Sequence, residues 1–296
     1  MKAEIRTLLR DIQAAARIGH AESLWAALEN LQDLPQIAGN HPMNETFLSQ
    51  VVLPVGETLG QSRISHTALR PLVIHQLAAY RAIAGVALLN QFLEGRNGTT
   101  LASINALVQD PRQDVREAIR LAALHDSHAN PDKLVTLYEN WKTSDSPRVQ
   151  TLAYQLLPNL PGETALQKIR SLNASVGDLP PEVRVTLAGT LTALAASGHA
   201  EEVLEVLVIW AAQPGLDHRI ATRCLSKSWA AKYPDESLQI LTALAARTGP
   251  KKRIRKALES LYRHGADAEV LAVLETWRSA EDANLRASGQ DEKLTL

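Results

Sequence analysis

From residue 98 onward the apolar positions recur at the three-to-four spacing of an amphipathic helix, with short polar breaks between the runs. The pattern predicts helices in pairs: 98–108 with 112–125, 131–143 with 146–157, 163–172 with 181–197, 200–213 with 217–232, and 235–247 with 251–264. A further helix at 267–279 opens a sixth pair. Start signals fall where they should, at Asn130-Pro131, Ser146-Pro147, Pro180-Pro181-Glu182, Pro234-Asp235 and Gly249-Pro250. Gly198 and Gly265 stand where the preceding helices should stop. Near the start of each second helix an arginine recurs, at Arg116, Arg148, Arg184, Arg219 and Arg253, spaced 32 to 36 residues apart. A period of that length marks stacked helical repeats, because one short helix pair cannot bury its apolar face alone.

The first 97 residues are less regular. Helices are predicted at 2–17, 20–32, 44–60 and, as one long element, 66–94, with a loop at 32–44 between the second and third. Terminal repeats are often atypical because one face must meet water. The expected organisation is therefore an irregular N-terminal cap over 1–97, a repeat array over 98–280, and a flexible tail over 281–296, where ASGQDEKLTL carries no core-forming pattern.

Composition agrees with close helix packing: 45% of residues are hydrophobic, with only two Phe and five Tyr among abundant Leu and Ala. The net charge of −1 predicts no global attraction to nucleic acid or membrane. Its distribution is uneven, however. Residues 216–263 hold eleven Lys/Arg against four Asp/Glu, a local balance of +7. A single cysteine, Cys224, excludes an internal disulfide framework and a Cys-rich zinc site. The N-terminus lacks the apolar core of a secretory signal, and the apolar run 72–89 is interrupted by His75, Gln76 and Arg81. A soluble, cytoplasmic protein without membrane partners is the expectation.

The basic segment supplies the candidate chemistry. Arg219, Arg223 and Lys227, at i, i+4 and i+8, would share one helix face, where like charges repel unless an anion neutralises them. Lys251, Lys252, Arg253, Arg255 and Lys256 crowd a predicted helix N-terminus, whose exposed N–H groups attract anions. Second helices of successive repeats are neighbours, so the two clusters can form one patch for phosphates or an acidic partner; a merely solvated basic face is the alternative reading. Trp229 and Tyr233, beside the stripe, are candidates for stacking on a base. Trp141, Trp210 and Trp277 each follow aliphatics at helical spacing and read as core.

Catalytic motifs are absent: there is no P-loop, G-x-G-x-x-G, H-E-x-x-H or G-x-S-x-G. His125 and His128, with Asp126, lie at a helix end and read as a polar turn rather than a metal site. Cys224 has no histidine nearby and reads as a small buried residue. No catalytic residue, metal or cofactor is assigned.

The period, the aliphatic pairs and the Asp114-Val115-Arg116 opening of a second helix resemble HEAT repeats. Glu182-Val183-Arg184 is a near copy, and the remaining copies keep only the arginine. The resemblance implies an all-α protein, an α-solenoid wound as a right-handed superhelix of HEAT-like helix pairs with second helices lining a concave face. It also implies inter-repeat Asp–Arg ladders for Arg116, Arg148 and Arg184. Residues 223–265, with the Lys232-to-Asp235 turn and the following basic helix, further resemble the C-terminal part of bacterial DNA alkylation-repair proteins. That family's catalytic carboxylate and framing aromatics have no counterpart here beyond a loose echo in Trp141 and Asp145. The expected function is a non-catalytic binding scaffold for a protein, DNA or RNA partner. The alternative is a glycosylase-like enzyme acting on damaged bases.

Overall fold

A computed structural model describes residues 2–18, 21–62, 64–95, 100–125, 130–212, 218–249 and 251–291, in which helices are joined by short turns and no strand occurs. Two compact units divide the chain between Asn159 and Leu160. Residues 98–159 thus cluster with the first 97 rather than with the later pairs, a boundary the repeat period alone does not mark.

The first unit contains α1 (Lys2–Ile18), α2 (Ala21–Glu29), the short turns α3 (Pro35–Ala38) and α4 (Glu45–Phe47), α5 (Leu53–Gln61), α6 (His66–Val73), α7 (Ala78–Leu93), α8 (Thr100–Leu107), α9 (Gln113–His125), α10 (Pro131–Lys142) and α11 (Pro147–Leu156). Its axis is α7, apolar all round and buried at every residue except Arg81, with α5, α6, α8 and α9 packed on it. Gly60 lets α5 approach. A Cβ there would stand 2.6 Å from the Asn90 Cβ and 2.9 Å from the Ala87 carbonyl oxygen. Gly60→Val should therefore lower stability by about 1–3 kcal/mol, since backbone on the facing helix cannot yield as a side-chain tip does. A urea unfolding midpoint unchanged from the parent protein would show that the two helices are not held this close.

The single helix expected over 66–94 is broken in two. Pro71 sits inside α6 and removes one ladder hydrogen bond, and the helix ends two residues later. Arg81 then holds the connection, donating to the His75 and Gln76 carbonyls at 2.8 and 3.0 Å while pairing with Asp110 at 2.7 Å.

The second unit contains α12 (Gly162–Arg170), α13 (Pro181–Leu194), α14 (Ala200–Ala212), α15 (His218–Leu225), α16 (Pro234–Thr248), α17 (Lys252–Arg263), α18 (Asp267–Arg278) and α19 (Ala283–Gly289). Helices pack two places apart in two rows: α12 on α14, α14 on α16 and α16 on α18 in one, α13 on α15 and α15 on α17 in the other. Val203 and Leu207 of α14, Leu187 and Leu191 of α13, and Leu241 and Leu244 of α16 are all buried. Gly198 and Gly265 end their turns with φ of +104° and +103°, as their positions predict.

Two expectations need correction. Residues 283–289 of the presumed flexible tail form α19, capped by the Asp282 carboxylate accepting from the Asn284 and Leu285 N–H groups at 2.9 Å, and packed on α16 and α18. Residues 292–296 lie outside the described residues. Among the described residues, moreover, the bonds seen for Arg116 and Arg184 stay within a repeat rather than running to a neighbouring aspartate as a ladder would. Arg116 and Arg184 each reach back to a carbonyl of the loop before their own helix, at Asp110 and Gly177. In α11 Gln150 makes that bond, to Ser144 at 2.7 Å, and Arg148 is exposed. Asp114 instead accepts from Arg112 and from the Met43 N–H. Burial alone would raise its pKa, but these bonds hold it below the ordinary carboxylate value.

Candidate anion-binding site

Helix α15 buries Ile220, Ala221, Cys224 and Leu225, which turns Arg219 and Arg223 outward. Helix α17 buries Ile254, Ala257, Leu258 and Leu261, which turns Lys252, Arg253 and Lys256 outward. The two helices pack together, and the Ser260 hydroxyl ties them by donating to the Ser226 carbonyl at 3.0 Å. Between their polar faces lies a cleft of about 430 Å³ lined by Arg223, Lys227, Lys252, Arg253 and Lys256. Thr222 and Ser226 also line it, and among the described residues the lining contains no carboxylate and no aromatic ring. Both hydroxyls donate to carbonyls one turn back, at 2.6 and 2.5 Å. The cations and the first N–H groups of α17, which receive no side-chain cap, are thus the donors left to meet an anion.

The helix expected over 217–232 ends at Leu225 and resumes as a 3₁₀ turn over Ser228–Lys232. Lys227 therefore does not share a helix face with Arg219 and Arg223. It is extended, with φ −108° and ψ 151°, and still reaches the cleft from the rim. Arg219 is exposed on the first turn of α15, but it is not among the cleft-lining residues.

Lys251 and Arg255 face elsewhere. Together with Trp277 and Ser288 they line the seam under α19, where Arg255 Nη1 meets the Asp291 carboxylate at 3.1 Å. Both partners of that pair are largely covered, at 16% and 17% exposure, so Arg255 holds the C-terminal helix in place. Neither aromatic candidate lines the cleft. Trp229 is half-buried in the 3₁₀ turn with its Nε1 enclosed and unbonded, and Tyr233 opens into a different groove beside Glu236.

Other candidates are structural. Cys224 is fully buried, burial pushes its thiol up to about 12, and its Sγ contacts the Ala188 carbonyl at 3.4 Å. Among the described residues no group of three or more His, Cys, Asp or Glu is placed to hold a metal ion. His125 is exposed, 3.4 Å from Glu57, while Asp126 and His128 lie outside the described residues. No described helix is long and apolar enough to cross a membrane. Comparisons with family models and with curated proteins give no match.

Proposed function

We propose that the chain is a helical-repeat scaffold of the HEAT-like, α-solenoid kind, whose basic cleft grips the phosphates of a nucleic acid. In this reading the second helices line the concave face of a right-handed superhelix. The observation that carries it is the convergence of five cations from α15, α17 and the turn between α15 and α16, with no carboxylate among the described lining residues. Such charges repel one another until an anion enters. An acidic protein is the other candidate occupant. Tight protein contacts are anchored by buried aromatic or aliphatic side chains, and the described residues of this lining include none. A base-excising enzyme would need a carboxylate and framing aromatics beneath the patch. Among the described residues the cleft lining supplies neither, and Trp141 is a core residue.

Counterion release tests the proposal. If the five cations each meet a phosphate, log K for duplex DNA should fall against log salt with a slope of about −4.5. Fluorescence titrations with duplex, single-stranded DNA, RNA and polyglutamate measure it. Tighter binding of polyglutamate than of any nucleic acid would reassign the cleft to an acidic protein, and no binding to any of them at low salt would leave it a solvated face.

A further inference from the structure

The other row of the second unit carries a groove of opposite character. On α14, Glu201, Leu204, Glu205, Val208 and Ile209 recur at i, i+3, i+4, i+7 and i+8, one continuous stripe. Tyr233 and Glu236, at the start of α16, form the facing wall of a groove of about 490 Å³. Its floor is apolar. Leu204 is buried, whereas Ile209 leaves 52% of its surface in water. A large β-branched residue left exposed inside a concavity, beside Val208 and Tyr233, is apolar surface that no described residue of this unit covers.

The rim is acidic. Glu201 and Glu236 are exposed, and Glu205 meets Arg170 at 2.9 Å through side chains that are 47% and 66% exposed for Arg170 and Glu205. An ion pair that wet is worth little and exchanges readily for another cation. The stripe spans eight residue steps of α14, about 12 Å, which matches two turns of a helix lying along it.

We infer that this groove docks a basic amphipathic helix of a protein partner, with two or three aliphatic side chains seated on Leu204, Val208 and Ile209 and flanking Lys or Arg on Glu201, Glu205 and Glu236. Helix-in-groove recognition needs apolar anchors at i, i+3, i+4 and i+7 on the ligand, and the floor here is spaced to receive them. Charge complementarity selects the ligand's sign. The acidic rim attracts a basic segment and disfavours an acidic one. The site lies in the α14–α16 row, away from the lining of the basic cleft, so the two can be occupied independently.

A fluorescein-labelled peptide of about 16 residues, long enough to hold a helix, is the probe. It carries Leu at helical spacing and Lys and Arg on the flanks. The control peptide has the same composition with the periodicity scrambled. Anisotropy titrations on the full chain should give micromolar binding for the first and at least about tenfold weaker binding for the second. Ile209→Asp should weaken binding about tenfold, and Glu201→Lys with Glu236→Lys by a similar factor, while Lys252→Gln with Lys256→Gln leaves it unchanged. All these positions are exposed, and circular dichroism verifies that each variant stays folded. Equal binding of both peptides, or binding indifferent to Ile209→Asp, overturns the inference. So does a concentration-dependent dimer that Ile209→Asp abolishes in sedimentation, because the face then belongs to a second copy of the chain. Failure here leaves the basic cleft untouched, since that is read out with nucleic acid.

Discussion

Replacing Arg223, Lys227, Lys252 and Lys256 together by Gln should weaken duplex DNA binding by about 100-fold or more at low salt and flatten the salt slope by about 3 to 4. All four side chains are exposed and line the same cleft. Removing them takes away phosphate partners without opening the core, so each change should alter folding stability by no more than about half a kcal/mol. The matching control is Arg255→Gln. By sequence it belongs to the same basic run, but it faces Asp291 under α19. Its loss should leave DNA binding within about threefold and instead loosen the C-terminal helix, because a largely covered guanidinium–carboxylate bond is lost. Gel-shift titrations at two salt concentrations, beside thermal unfolding, separate the two variants. Wild-type affinity retained by the quadruple variant would remove the cleft as the binding surface. A loss in Arg255→Gln equal to that of the quadruple variant would mean that charge, and not this cleft, governs binding.

The contrast between Arg255 and Lys256 marks where sequence reading stops. The helix pairs, their proline and asparagine starts and the buried tryptophans follow from local periodicity, which is written in neighbouring residues. The meeting of Arg223 with Lys252 and Lys256 follows from the repeat period, since helices one repeat apart must stack. Which cations face the cleft is set by partners far along the chain. Arg255 is turned away by Asp291, 36 residues later, and no pattern near KKRIRK announces that bond. Lys227 leaves the helix face because α15 stops at Leu225 with neither glycine nor proline to signal it. Thr222 and Ser226, which complete the lining, read in sequence as ordinary helix residues. The acidic groove had one legible sign. Helix α14 is apolar on more than one face, and Val208 and Ile209 fall on the side that Glu201 and Glu205 mark as outward.

The repeated arginines and the tryptophans of the repeats make opposite predictions about what stabilises the stack. Trp141 and Trp277 are each 1% exposed, and their indole Nε1–H groups donate one repeat back, to Asn105 Oδ1 at 2.9 Å and Thr242 Oγ1 at 3.2 Å. The same side chain therefore fills the core between neighbouring first helices and carries a directed bond across that interface. Trp141→Ala should cost about 3–5 kcal/mol, the sum of lost burial and the cavity left behind. Against a typical margin of about 5–15 kcal/mol that is enough to populate unfolded protein. Trp141→Phe keeps most of the volume and loses the indole bond, leaving Asn105 Oδ1 without that donor while Asn105 Nδ2 still donates to Asn140 Oδ1, so about 1–2 kcal/mol is expected. Arg148→Ala should lie within about half a kcal/mol of the parent protein, because its side chain is exposed and its positive charge repels that of Arg116. Urea denaturation of the three variants orders them. If Arg148→Ala proves as damaging as Trp141→Ala, an arginine ladder does hold neighbouring repeats together, and the loop-stapling role seen for Arg116 and Arg184 is secondary.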